Sequence, residues 1–85
     1  MSLRLAWSAR AERELQEVRS WQDAAWIASE VARYAATGIG DVRRAPTAHG
    51  PSEPVLFLPG YRVAFLFDRT TRTLWVRSVW RLASR

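Results

Sequence analysis

Three arginines, Arg62, Arg77 and Arg81, are spaced so that one side of a β-hairpin can carry them together. Arginine grips phosphate or carboxylate bidentately and stays charged even when partly buried, so such a cluster is built for an anionic partner. The hairpin is read from Tyr61 to Phe67, a polar turn Arg69-Thr70-Thr71-Arg72, and Thr73 to Arg81. With Asp68 facing Thr73, Arg62 lies opposite Val79 and Ala64 opposite Arg77. Side chains alternate along a strand. That register collects Tyr61, Val63, Phe65 and Phe67 with Leu74, Val76, Ser78 and Trp80 on one face. The other face receives Arg62, Ala64 and Leu66 with Trp75, Arg77, Val79 and Arg81. Trp75 adds a ring on which a base can stack or a partner can anchor. The plainer alternative is a solvated face with Trp75 packed beneath the chain's own long loop.

Other reactive residues are few. His49 lies in a Gly/Pro-rich loop and is the one side chain whose ordinary pKa is near neutrality, hence the one general-base candidate, although a lone loop histidine is commonly incidental. The chain has no cysteine, which rules out disulfides and thiolate metal sites, and a single histidine builds no cluster, so neither metal nor cofactor is expected. Gly38-Ile39-Gly40 is too short for a phosphate-binding fingerprint. Tyr61 projects to the hydrophobic side and reads as core.

The elements that must position these residues follow from hydrophobic spacing. Leu3, Leu5 and Trp7 alternate with Arg4 and Ala6 to give a first strand. Ser8 is an N-cap for a helix striped by Ala11, Leu15 and Val18 and ending near Ser20. Asp23 is the cap candidate for a second helix, with Ala24, Ile27, Val31 and Ala35 on its buried side and Gly38 and Gly40 after its end. Trp26 falls on the far side of that stripe beside Gln22, Glu30 and Arg33, a position suited to a partner protein or a second copy of the chain, or else to packing on the first helix or on the long loop. From Thr37 to Pro54 the glycines and prolines break all periodicity and predict a long loop. Val55 to Leu58 is a second strand, Pro59-Gly60 a turn, and the hairpin supplies two more strands. The expected fold is α+β: an N-terminal strand, a helical hairpin, then a three-stranded antiparallel meander with the helices on one sheet face.

Eighty-five residues make one domain, here 1–85, which buries roughly 60–65% of its unfolded surface. With 48% hydrophobic residues it supports its own core. All 13 basic residues are arginine against 8 acidic ones, giving a net charge of +5 that favours acidic partners. Coding bias is an equally good account of the missing lysines. No apolar run approaches the roughly 18–20 residues of a membrane span, and the N-terminus does not read as a secretion signal, so a cytoplasmic protein without a membrane role is expected.

Over nearly its whole length the chain resembles the RelE/ParE superfamily of small bacterial toxins from type II toxin–antitoxin pairs. The carrying residues are Trp7-Ser8-Ala9-Arg10-Ala11 at the strand-to-helix junction, Leu58-Pro59-Gly60-Tyr61-Arg62-Val63 at the entry to the hairpin, and Val76-Arg77-Ser78-Val79 in the last strand. The resemblance implies growth arrest, a cognate antitoxin partner, and one of two targets. Relatives that resemble RelE cleave mRNA on the ribosome; relatives that resemble ParE inhibit DNA gyrase. The nuclease pattern implies catalytic roles for Arg62 and Arg81, but Glu53 and Val55 stand where the nucleases commonly carry lysines, Leu82 replaces a further basic residue, and no tyrosine follows Tyr61. Cleavage by a 2′-hydroxyl needs a proton acceptor, a proton donor and cations for the phosphate, and arginine is a poor acceptor. The resemblance therefore leans toward ParE-like gyrase inhibition, with RelE-like mRNA cleavage as the alternative and a non-toxic RNA- or protein-binding module as a third. Arg62, Trp75, Arg77 and Arg81 are the expected contacts for nucleic acid or partner, and Trp26 for antitoxin or oligomer.

Overall fold

The computed structural model describes residues 2–47 and 50–83. The opening alternation forms β1 (Arg4–Trp7). Ser8, in extended conformation, caps α1 (Ala9–Gln16) by accepting the Ala11 N–H at 3.0 Å, as an N-cap hydroxyl does. The helix stops short of the expected Ser20 because Ser20 caps α2 (Trp21–Thr37), accepting the Asp23 N–H at 3.1 Å. Asp23 is thus not the cap. It stands in the first turn of α2, where a carboxylate complements the helix dipole, and it accepts the Tyr61 hydroxyl at 2.7 Å. Gly38 ends α2 with φ 75, a left-handed geometry that glycine adopts without strain.

Four further strands, β2 (Val42–Thr47), β3 (Gly50–Leu58), β4 (Tyr61–Asp68) and β5 (Thr73–Arg81), complete a five-stranded sheet in the order β1-β5-β4-β3-β2. β1 runs parallel to β5, and every other pair is antiparallel. The expected three-stranded meander is therefore incomplete, and most of the expected loop from Thr37 to Pro54 is strand. The prolines that hid it sit where a strand tolerates them. The Phe57 N–H bonds Asp41 C=O at 2.8 Å, so odd-numbered residues of β2 and β3 face each other. Pro46 consequently points out of the free edge of β2, where no donor is needed, and Pro54 faces β4 where the β3–β4 ladder ends at Val55.

Both helices cover one sheet face. Ala11, Ile27, Val31 and Ala35 pack on Leu56, Leu58, Tyr61, Val63, Phe65, Leu74, Val76 and Val79. Phe65, Ile27, Val31, Val63 and Val76 are the largest side chains fully enclosed there, each worth about 1.5–3 kcal/mol of burial. Tyr61 is buried as expected. Trp26 is partly buried, its ring meeting that of Tyr61 on the sheet at a centroid distance of 6.5 Å, where the packing alternative expected α1 or the long loop. The bare indole is Trp21, 76% exposed.

Candidate functional site on the open sheet face

The face away from the helices is organised by the β4–β5 pairing, which changes register part way along. Near the turn the pairs are those expected: Asp68 with Thr73, Leu66 with Trp75, Phe65 with Val76. Between Ala64 and Phe65 the register shifts. Ala64 then faces Ser78, Val63 faces Val79, Arg62 faces Trp80 and Tyr61 faces Arg81. One extra residue, Arg77, is accommodated on β5, which is the definition of a β-bulge.

The consequences invert the far half of the hairpin. Val79, expected outside, is 3% exposed in the core. Trp80, expected inside, crosses to stand beside Arg62. Arg81, expected outside with Arg62 and Arg77, lies on the helix side with Tyr61, near Arg19 and Asp23. The expected convergence of three arginines is therefore corrected to two, Arg62 and Arg77. The driving force is burial: without the bulge the partly exposed Ser78 would point into the core and Val79 into solvent.

Helix α1 completes the bulged strand. β1 ends at Trp7, so the backbone groups that β5 turns toward that edge beyond Val76 have no strand to meet. The Ser8 N–H bonds Val76 C=O at 2.9 Å, and the Ser8 hydroxyl donates to Arg77 C=O at 3.1 Å. One turn and a half further on, Glu14 Oε1 accepts the Val79 N–H and the Ser78 hydroxyl, both at 3.0 Å. The other carboxylate oxygen of Glu14 lies 3.6 Å from the Arg10 guanidinium.

Side chains cross the open face in rows. The two-residue turn Pro59-Gly60 pairs Leu58 with Tyr61 and hence Phe57 with Arg62. The guanidinium carbons of Arg62 and Arg43, from the strands on either side, lie 4.2 and 4.4 Å from the Phe57 ring centroid, within cation–π range. Trp80 extends this row on β5. The next row is low: Val55 and Ala64 are small and buried, with Ser78 beside them. Beyond it the Arg77 guanidinium is hydrogen-bonded to the Glu53 carboxylate, and nearer the turn Leu66 (50% exposed) and Trp75 (37%) form an apolar pair. A depression of about 90 Å³ lies between Arg77, Glu53, Trp80 and the α1 side chains Arg10 and Glu14.

The charges on this face are largely matched within the chain. Arg62 Nη1 donates to the carbonyls of Leu58 and Tyr61, both at 2.9 Å. Arg43 holds Asp41 bidentately at 2.9 and 2.8 Å. That bond holds the Asp41 carboxyl below its usual range and raises the Arg43 guanidinium. On the opposite face, the bond to Asp23, with burial, pushes the Tyr61 phenol above its ordinary value.

Of the sequence-predicted contacts, Arg62, Trp75 and Arg77 share this face; Arg81 and Trp26 do not, and His49 lies outside the described residues. Asp41, Arg43, Phe57, Glu53 and Trp80 belong to the face and were not predicted as site residues. The Pro59-Gly60 turn signals the Phe57–Arg62 pair. Asp41 and Arg43 lay in the supposed loop, and Trp80 was on the wrong side of an unseen bulge. Among the described residues, no group of three His, Asp or Glu side chains can hold a metal ion, and no helix is long and apolar enough to cross a membrane.

No protein-family model and no curated protein matches the sequence. Solved structures do match the fold. The RelBE2 toxin–antitoxin complex of Mycobacterium tuberculosis contains a chain similar to this one with a TM-score of 0.80 and 12% identity, covering 99% of this chain and 95% of that one. The archaeal RelE–RelB complex of Pyrococcus horikoshii OT3 gives a TM-score of 0.72 at 12% identity, covering 95% and 96%. The intact Escherichia coli RelBE complex gives 0.59 at 12%, covering 98% and 100%. The chain has a RelE-like fold.

Proposed function

We propose that this chain is the toxin of a type II toxin–antitoxin pair, arresting bacterial growth from the cytoplasm until a cognate antitoxin binds it. It engages its target through the open sheet face and acts by binding, in the ParE-like manner directed at DNA gyrase. The fold supports the toxin reading, since the similar chains come from toxin–antitoxin complexes. One observation carries the binding mode: the cations on this face are held by acceptors of the chain itself. Arg62 is tied to backbone carbonyls, Arg43 to Asp41 and Arg77 to Glu53, while Arg81 faces the helices. RNA cleavage asks for a proton acceptor and donor beside free cations. Here Glu53, the carboxylate nearest that role, is engaged by Arg77.

RelE-like cleavage of mRNA on the ribosome is the second reading. It is favoured by the Arg43–Phe57–Arg62–Trp80 row, which alternates cation and aromatic ring as a base-stacking surface does. Expression of the chain alone in bacteria separates the readings. DNA synthesis failing before protein synthesis, together with inhibition of gyrase supercoiling by the purified chain, is the expected result. Early loss of protein synthesis with mRNA cut inside ribosomes would overturn the gyrase reading in favour of cleavage. Folded, soluble protein without growth arrest would leave a non-toxic binding module on the same fold.

A further inference from the structure

We infer that Ser8 and Glu14 of α1 are positioning residues for the open face, selecting the strand register that places Arg77 and Trp80 there and keeps Arg81 off it. The functional half of the inference rests on the proposed target-binding role of that face. Its structural half stands on the backbone. β4 turns the even-numbered residues Arg62 and Ala64 toward β5, because Leu58 and Tyr61 pair across the turn to β3. In the bulged register Ser78 and Trp80 answer them, and the N–H of Val79 points away from β4 toward α1. In an unbulged strand Val79 would face β4 and the N–H groups of Ser78 and Trp80 would face α1. The Glu14 bond to Val79 N–H at 3.0 Å is therefore available in one register and absent in the other. The Ser8 hydroxyl on Arg77 C=O fixes the bulged residue from its other side. Ser8 also caps α1, so the helix start and the bulge are set by a single hydroxyl that accepts from Ala11 and donates to Arg77.

The geometry leaves a charge-independent requirement at residue 14. What the bulge needs is an acceptor oxygen at the end of a side chain of that length, and glutamine provides one. Alanine provides none, leaving Val79 N–H and the Ser78 hydroxyl without their acceptor.

The test uses the purified full-length chain and two variants, Glu14→Ala and Glu14→Gln. Site-resolved amide exchange and the NOE contacts between β4 and β5 are recorded for each, with no target present. Glu14→Ala is expected to speed exchange of the Val79 amide by about tenfold or more relative to the core amides of Ile27 and Val31, and to weaken the Ala64–Ser78 contact. Glu14→Gln is expected to restore both. A uniform rise in exchange across all amides, unchanged exchange at Val79, or failure of glutamine to rescue would each overturn the positioning role. Growth arrest on induction is then scored for the same variants. Glu14→Ala should need more inducer for half-maximal arrest while Glu14→Gln behaves as wild type, and equal arrest by all three would overturn the link from register to target. If the wild-type chain arrests nothing, the proposed function fails, whereas the exchange and NOE results still decide the role of Glu14 in setting the register.

Discussion

The two halves of the β4–β5 hairpin are built from similar text and obey different rules. Next to the turn, from Phe65 to Asp68 and from Thr73 to Val76, the register is dictated locally by Asp68, whose carboxylate accepts from the Thr70 N–H at 2.9 Å. Beyond Ala64 it is dictated by burial and by α1, whose partners are 69 residues away in the case of Ser8 and 65 in the case of Glu14. Counting outward from the turn is reliable only while the ladder is regular. A single bulge sends every later side chain to the opposite face. The far half also carries Arg62, Arg77 and Arg81, so the arginines that counting from the turn brings together are divided by the fold.

A charge at position 79 separates the two halves most strongly. In the bulged register Val79→Asp buries an unpaired carboxylate and should cost about 3 kcal/mol or more, measured by urea denaturation. In an unbulged strand the same change would be nearly silent. Removing the acceptor, Glu14→Ala, leaves two donors without a partner and should cost about 1.5–3 kcal/mol. A cost below a few tenths would mean that α1 does not hold the bulge. Arg62→Ala loses a cation–π contact with Phe57 and its bonds to two carbonyls, so about 1 kcal/mol is expected, whereas Arg81→Ala, exposed on the helix side, should stay within about 0.5 kcal/mol. The smallest effect is one of pH. Tyr61 has its pKa raised in the folded state, so the stability it contributes is complete below its unfolded value of about 10 and is lost as pH rises through the folded value. Tyr61→Phe should flatten that alkaline limb, and an unchanged limb would show that the Asp23 bond does not set it.

What was legible in the sequence follows the same division between local and distant causes. The Ser8 cap, the stripes through Ala11 and through Ile27, Val31 and Ala35, the first strand and the turn-proximal hairpin are all written within a few residues of where they act. β2 and the start of β3 were not legible, because Pro46, Pro51 and Pro54 read as breakers until one knows that Pro46 lies on a free edge and Pro54 at the end of a ladder. The smaller part of the candidate face was legible: Arg62, Trp75 and Arg77 share it, as counting from the turn expects. Arg43 and Asp41 were hidden inside the supposed loop, and Trp80 exchanged places with Val79. Trp26 follows the packing alternative within the chain, with a partner that its spacing did not reveal. It lies off the buried stripe of α2, yet the large ring reaches Tyr61 on the sheet.

The bulge divides the arginines, leaving Arg62 and Arg77 on the open sheet face and Arg81 on the helix side. The direct measurement is the inducer dose for growth arrest with the double variant Arg62→Ala/Arg77→Ala set beside Arg81→Ala, each checked for folding. The double variant is expected no longer to arrest growth, and Arg81→Ala to arrest it like the wild type. Loss of arrest in Arg81→Ala, with the double variant still toxic, would contradict that division.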